Sequence, residues 1–272
     1  MESSERCAFC PDTADITGEH IWSDWINRIV PTGQFRFTWD SHTATPRTYV
    51  TALLNQKLPV VCRTCNNGWM SDLENEHAKP AMADLIVSDK AVLVDPERLK
   101  SIANFAFKSA VIADHARVPD LILRARPPFF TTQARYAFRE SLTIPDNVQM
   151  WLAAFEESRY GIFRAIYYPS PANTVPAFES YALTFGVGFL LIQVVASRSL
   201  GTGARRFGFD VTQGEGWDKF SVPFWPVDGR PVSWPPDRRL TLALANRFAD
   251  RWIGTKIDTD WPGTPLIRGF CE

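Results

Sequence analysis

Cys62-Arg63-Thr64-Cys65-Asn66-Asn67-Gly68-Trp69-Met70 is the stretch on which the reading of this chain turns, and a second pair near the start, Cys7 and Cys10, gives it meaning. Two cysteines spaced by two residues present their thiolates from one tight turn. Two such knuckles brought together make the tetrahedral four-sulfur cage that zinc prefers. Cys7, Cys10, Cys62 and Cys65 are therefore expected to hold one structural zinc ion and to tie the N-terminus to residue 65. Thiolates committed to a metal belong to a reducing compartment, and Cys271 is the one cysteine left over.

Between the knuckles stands Glu19-His20, an acid beside the one side chain that ordinarily titrates near neutral pH. Asn66 directly follows the last cysteine. The order C-x-x-C, acid-His, C-x-x-C-N resembles the zinc-stapled branch of the HNH, or ββα-metal, endonucleases over about residues 7–74. The resemblance implies a metal-dependent hydrolase that cuts phosphodiester bonds in DNA. His20 takes the place of the general base that draws a proton from water. Glu19 and Asn66 take the places that hold a catalytic divalent cation, Mg²⁺ or Mn²⁺, through hard oxygen ligands. Glu74, the first choice among Asp72, Glu74 and Glu76 on the following helix, would add a ligand. The zinc is separate, because four thiolates leave it no open position. A second reading stands beside this one: a catalytically inactive zinc-knuckle module that binds nucleic acid or a protein. In that reading Asn66 only caps the helix that follows it.

Outward from this region, the chain between His20 and Cys62 is longer than a compact hairpin needs. Gln34 to Asp40 and Thr48 to Leu54 alternate apolar and polar residues, so an inserted β-hairpin is expected to loop out there. Trp69 to Leu85 reads as a helix with Pro80 as its weak point. Helices are expected over Pro96 to Arg117, with Leu99, Ile102, Ala103, Ala106, Ala110 and Ala113 on one face, and over Thr131 to Leu142. From Val148 the period changes to two, and Val148–Phe155, Gly161–Tyr168, Tyr181–Val187 and Phe189–Ser197 read as antiparallel strands, with Phe207–Val211 a further candidate. Phe220 to Pro236 is expected to cover the sheet, ahead of a closing helix from Arg238 to Trp252. The fold class is thus α+β: an N-terminal zinc-stapled ββα-metal module in residues 1–80, followed in residues 81–272 by helices and a mainly antiparallel β-sheet. That second part would position substrate, form a homo-oligomer or sense a signal.

With 272 residues, 45% of them hydrophobic, the chain has material for a large core. Its net charge of −1 does not advertise a nucleic-acid partner, but residues 98–139 hold eight Lys and Arg against two Asp. Arg124 and Arg126 alternate there with Leu123, Phe129 and Phe130, and with Arg135 and Arg139 they are the candidate contacts to DNA. The longest apolar run, Gly186 to Ala196, is broken by Gly188 and Gln193 and is too short to span a bilayer. The chain opens on no basic-then-apolar leader, so a cytoplasmic location without a membrane is expected. No Walker-type loop, glycine-rich dinucleotide turn or Ser-His-Asp order is present, which leaves energy-dependent and acyl-transfer chemistry unsupported.

Overall fold

The computed structural model describes residues 6–12, 15–30, 34–41, 47–51, 54, 57–115, 127–169, 178–199, 216–251, 256–257 and 267–268. Strand β1 (Ile16–His20), followed by the short helix α1 (Asp24–Asn27), runs antiparallel to β4 (Lys57–Cys62), with an irregularity in register after Thr17. Cys62 closes β4 and starts the next element as well. Its Sγ accepts a hydrogen bond from the Cys65 N–H at 3.4 Å, the role an Asn or Ser oxygen plays at most helix starts. The helical segment therefore begins at Arg63, earlier than the apolar spacing predicts. It runs through α2 (Arg63–Cys65), two π-helical turns (Asn66–Met70, kinked at Gly68 where φ −98° and ψ −118° leave the helical region, and Leu73–Ala78) and α3 (Lys79–Val87). Asn66 itself is helical, at φ −62° and ψ −52°, and so is not the cap. Pro80 is the second residue of α3, directly after the second π-helical turn, and the helical segment continues through it.

Helix α4 (Pro96–His115) departs most from expectation. In place of one buried face, every residue from Ile102 to Asp114 is buried. The helix lies between the π-helical segment and the large sheet, and Tyr181 Oη reaches the Ala110 carbonyl at 3.3 Å. Polar residues on such a helix must find partners inside the protein. Ser109 Oγ donates to the Phe105 carbonyl at 3.0 Å, and Asp114 accepts from the Phe130 N–H at 3.1 Å. Helix α5 (Thr132–Ser141) is capped by Thr131 Oγ1, which accepts from the Ala134 N–H, and ends at Leu142 with φ +53°.

The large sheet has seven strands in the order β10 (Ser221–Trp225), β6 (Val148–Ala154), β9 (Leu190–Ser199), β8 (Phe178–Val187), β7 (Tyr160–Pro169), β2 (Gln34–Ser41) and β3 (Arg47–Thr51). All neighbours are antiparallel except β2 and β7, which run parallel. The β2–β3 hairpin thus does not loop out of the N-terminal module. It completes the edge of the sheet built by the second half of the chain, and the buried core runs without a break from Cys7 to Trp234. The division at residue 80 accordingly does not divide the core. Phe220 to Pro236 is also not a cover: it supplies the opposite edge strand, β10, and then β11 (Val232–Trp234), which pairs with β5 (Val92–Val94). Helix α6 (Leu242–Asp250) closes the other face of the sheet, with Ala245 and Phe248 against a group that includes Trp151, Ile162 and Val195. The expected strand Phe207–Val211 lies outside the described residues.

The β8–β9 turn docks directly on the end of α3. Gly188 has φ +65°, and a Cβ there would stand 2.1 Å from the Ile86 carbonyl oxygen, which accepts a hydrogen bond from the Phe189 N–H at 2.9 Å. Left-handed strain and the backbone clash act together in Gly188→Ala. The expected loss of stability is roughly 2–5 kcal/mol, read by urea unfolding. A loss under about 1 kcal/mol would mean that the turn can move away from α3 without consequence.

Candidate metal centre and the acid-histidine pair

The four knuckle cysteines are buried, and their sulfurs all lie within 4.8 Å of one another. A tetrahedral ion about 2.3 Å from each sulfur would put neighbouring sulfurs about 3.8 Å apart. Cys10 Sγ and Cys62 Sγ already stand 3.5 Å apart. The cluster is compatible with a structural metal such as zinc, and its local backbone is arranged for thiolates: the Phe9 N–H donates to Cys7 Sγ at 3.5 Å, as the Cys65 N–H does to Cys62. The Ala8 N–H donates to the Val60 carbonyl at 2.8 Å and the Arg63 N–H to the Asp15 carbonyl at 2.9 Å, which joins each knuckle to the strand pair. Without a cation the four sulfurs cannot all be charged. A hydrogen bond from the Cys65 thiol holds Cys7 low, at about 4, while burial pushes Cys10 up to about 11 and the bond to Cys7 raises Cys65 further. A bound cation removes that conflict by stabilising every thiolate at once.

Aromatic rings hold the first knuckle from the far side. Phe9 packs edge-on against Trp69 with ring centres 5.1 Å apart, and Phe138 of α5 completes the group at 5.9 Å from Trp69 and 4.8 Å from Phe107 of α4. Arg135, from the same helix as Phe138, is buried and donates to the Ala8 carbonyl, to the Phe130 carbonyl at 3.1 Å and to Thr132 Oγ1 at 3.0 Å. It is a tie between α5 and the knuckle, with its donors turned inward, and so does not join a phosphate-facing surface. Arg135→Met is expected to cost about 1–3 kcal/mol and to speed zinc loss to a chelator, both measurable on the same preparation. Unchanged stability together with weakened DNA retention would restore Arg135 to the surface role. Arg139 is exposed, whereas Arg124 and Arg126 lie outside the described residues. Arg98, at the start of the basic segment, is bound to Asp84 and to the Ala81 carbonyl. The described cations of residues 98–139 thus do not make one stripe.

Glu19 and His20 close β1 and part company there. Glu19 is buried, and its Oε1 accepts from the ammonium of Lys108 at 2.8 Å. The same ammonium donates to Glu74 Oε1 on the second π-helical turn. Lys108 is fully buried. Burial works against its charge, but the two carboxylates outweigh burial and hold its pKa above the ordinary lysine value. By the sign of that shift, the ammonium persists throughout the neutral and mildly alkaline range. His20 is half-buried at the last position of β1, paired across the sheet with Lys57. Burial and then the charge of Lys57 lower its pKa, against the opposing pull of Glu19, Asp24 and Glu74. The imidazole is therefore neutral at pH 7 and able to accept a proton. Asn66 donates through Nδ2 to Thr17 Oγ1 at 3.0 Å, and Thr17 donates to the Val61 carbonyl at 3.2 Å. That bond leaves the amide oxygen of Asn66 uncommitted to Thr17.

The fold thus brings Glu19 and Glu74 together on one lysine and anchors Asn66 to Thr17, two residues before Glu19 on the same strand, while His20 shares with them only the electrostatic influence on its pKa. Sequence reasoning missed Lys108 by counting it in a basic surface. The signal was present: it is the only charged residue from 101 to 113, a mostly apolar stretch in which a charge requires a buried partner. Among the described residues no helix is long and apolar enough to cross a membrane. No protein-family model, curated protein or solved structure matches the chain.

Proposed function

We propose that this chain is a metal-dependent endonuclease of the HNH type that hydrolyses phosphodiester bonds in DNA, with a separate structural zinc in the four-cysteine cage. The observation that carries the reading is the meeting of Glu19 and Glu74 on a single buried ammonium, with Glu19 directly before His20 in the strand. Two carboxylates and one lysine leave one negative charge in a largely enclosed place, and an ammonium seated between hard oxygen donors stands where a cation is welcome. Buried ion pairs add little to stability on balance, so an arrangement of this kind fits a working site better than a structural one.

The residue types suit a divalent ion: Glu19 and Glu74, which meet on Lys108, offer carboxylate oxygens, and Asn66 would add an amide oxygen. Mg²⁺ or Mn²⁺ held there would neutralise the charge that develops on the phosphate and on the leaving oxygen. His20, neutral and half-exposed, takes a proton from the attacking water. Glu19, fixed by Lys108, holds the end of β1 and with it the place of His20. Thr17 orients Asn66. A cage of metal-bound thiolates fits a reducing compartment such as the cytoplasm.

One observation favours the second reading, a zinc-knuckle module that binds nucleic acid or a protein without cutting. Lys108 already compensates the buried charge of Glu19, so the pair can stand as a finished structural feature. Supercoiled plasmid and single-stranded DNA, incubated with the purified chain in the presence of Mg²⁺, Mn²⁺ or neither, separate the two. Nicking that depends on the ion supports the endonuclease. Salt-dependent retention of DNA with no cutting under any ion would assign the chain to the binding module.

A further inference from the structure

We infer that Lys108 is a tethered cation that competes with the divalent ion for Glu19 and Glu74, and so sets from α4 how tightly that ion is held. The identity of the ion rests on the endonuclease reading above; the competition rests on geometry. The ammonium contacts Oε1 of both carboxylates, at 2.8 Å for Glu19. It has nowhere else to go. Lys108 is fully buried, α4 is enclosed on all sides from Ile102 to Asp114, and the ring of Phe105 lies 5.2 Å from Nζ. Unlike a surface lysine, it cannot swing into water when an ion arrives.

Charge decides the direction of the effect. With the ammonium present the group carries one net negative charge, and with a neutral side chain in its place it carries two. A divalent ion placed against these carboxylates would also stand within a few ångströms of the ammonium, where like charges repel strongly even at the effective dielectric of a protein interior. A neutral residue at 108 leaves two carboxylates facing each other, a repulsion that a bound ion relieves. Because α4 also packs against β8, β9 and β10, the position of the ammonium follows the packing of the sheet half of the chain.

The test is binding of Mn²⁺ alone to the zinc-loaded full chain, followed by electron paramagnetic resonance, for wild type, Lys108→Met and Lys108→Arg. Lys108→Met is expected to bind Mn²⁺ roughly tenfold or more tightly than wild type, and Lys108→Arg, which keeps the charge, to stay within about threefold of it. Equal or weaker binding by Lys108→Met, or no binding by any of the three, overturns the inference. Should Lys108→Met fail to fold, the side-chain nitrogen resonance of Lys108 in the wild type, titrated with Mg²⁺, decides. A saturable shift supports competition, and an unmoved resonance overturns it. DNA cleavage is read separately. Tighter Mn²⁺ binding by Lys108→Met without cleavage by any variant would refute the endonuclease and leave the competition standing. Cleavage with unaltered Mn²⁺ affinity would do the reverse.

Discussion

His20→Ala is expected to abolish Mg²⁺-dependent DNA cleavage while zinc content, circular dichroism and Tm stay close to wild type. A positioned base contributes about 10²–10⁴-fold to a proton transfer, so the residual rate should fall by at least that factor. The fold should tolerate the change because His20 ends its strand half-buried. The buried anchors of this region are Glu19 on one side and Ile21 and Trp22 on the other. Added imidazole should recover part of the activity, since it supplies the missing base without rebuilding any packing. Unchanged cleavage would put the base elsewhere. Cleavage lost together with Tm would make His20 a structural residue.

Cys62→Ser should have the largest effect on stability. Structural zinc contributes about 10–16 kcal/mol to the folding of zinc-finger peptides, as much as the whole stability of about 5–15 kcal/mol of an ordinary domain. Cys62 also stands 3.5 Å from Cys10, so serine removes a candidate metal ligand and a sulfur contact together, while its own oxygen can still accept the cap bond from the Cys65 N–H. The expected result is loss of zinc and of amide-exchange protection in β1, β4 and the turns up to Ala78, with protection retained in β6, β8 and β9. Those strands draw on one another and on α4 rather than on the cage. A variant that keeps both zinc-free stability and protection in β1 would show that the four cysteines are ordinary core thiols.

The cage and the strand ends around it were legible because their determinants are local. The spacing of Cys7 and Cys10, and of Cys62 and Cys65, commits each pair to one turn wherever it sits. Period-two alternation likewise located β6 to β9 within a few residues. What failed to show was anything that depends on which face of an element meets another. The hairpin from Gln34 to Thr51 alternates as any half-buried hairpin does, and nothing in that pattern says that β7, more than a hundred residues later, will accept it as a parallel neighbour. Arg135 looked like its exposed neighbour Arg139, yet one turn of helix separates a residue bound to the Ala8 carbonyl from one in water.

The sequence by itself determined that these residues can make a four-sulfur cage, that an acid and a histidine stand side by side between its halves, and that helices give way to antiparallel strands near residue 148. Each follows from spacing or period, which a linear string carries in full. Only the tertiary structure decided that α4 is enclosed on every side, and burial is a property of what surrounds a residue, not of the residue. That enclosure turned Lys108 from one cation in a basic stretch into the ammonium that holds Glu19 and Glu74. An ionised side chain taken out of water must be met by opposite charge, and the partners it finds are set by the packing of helices far apart in the chain.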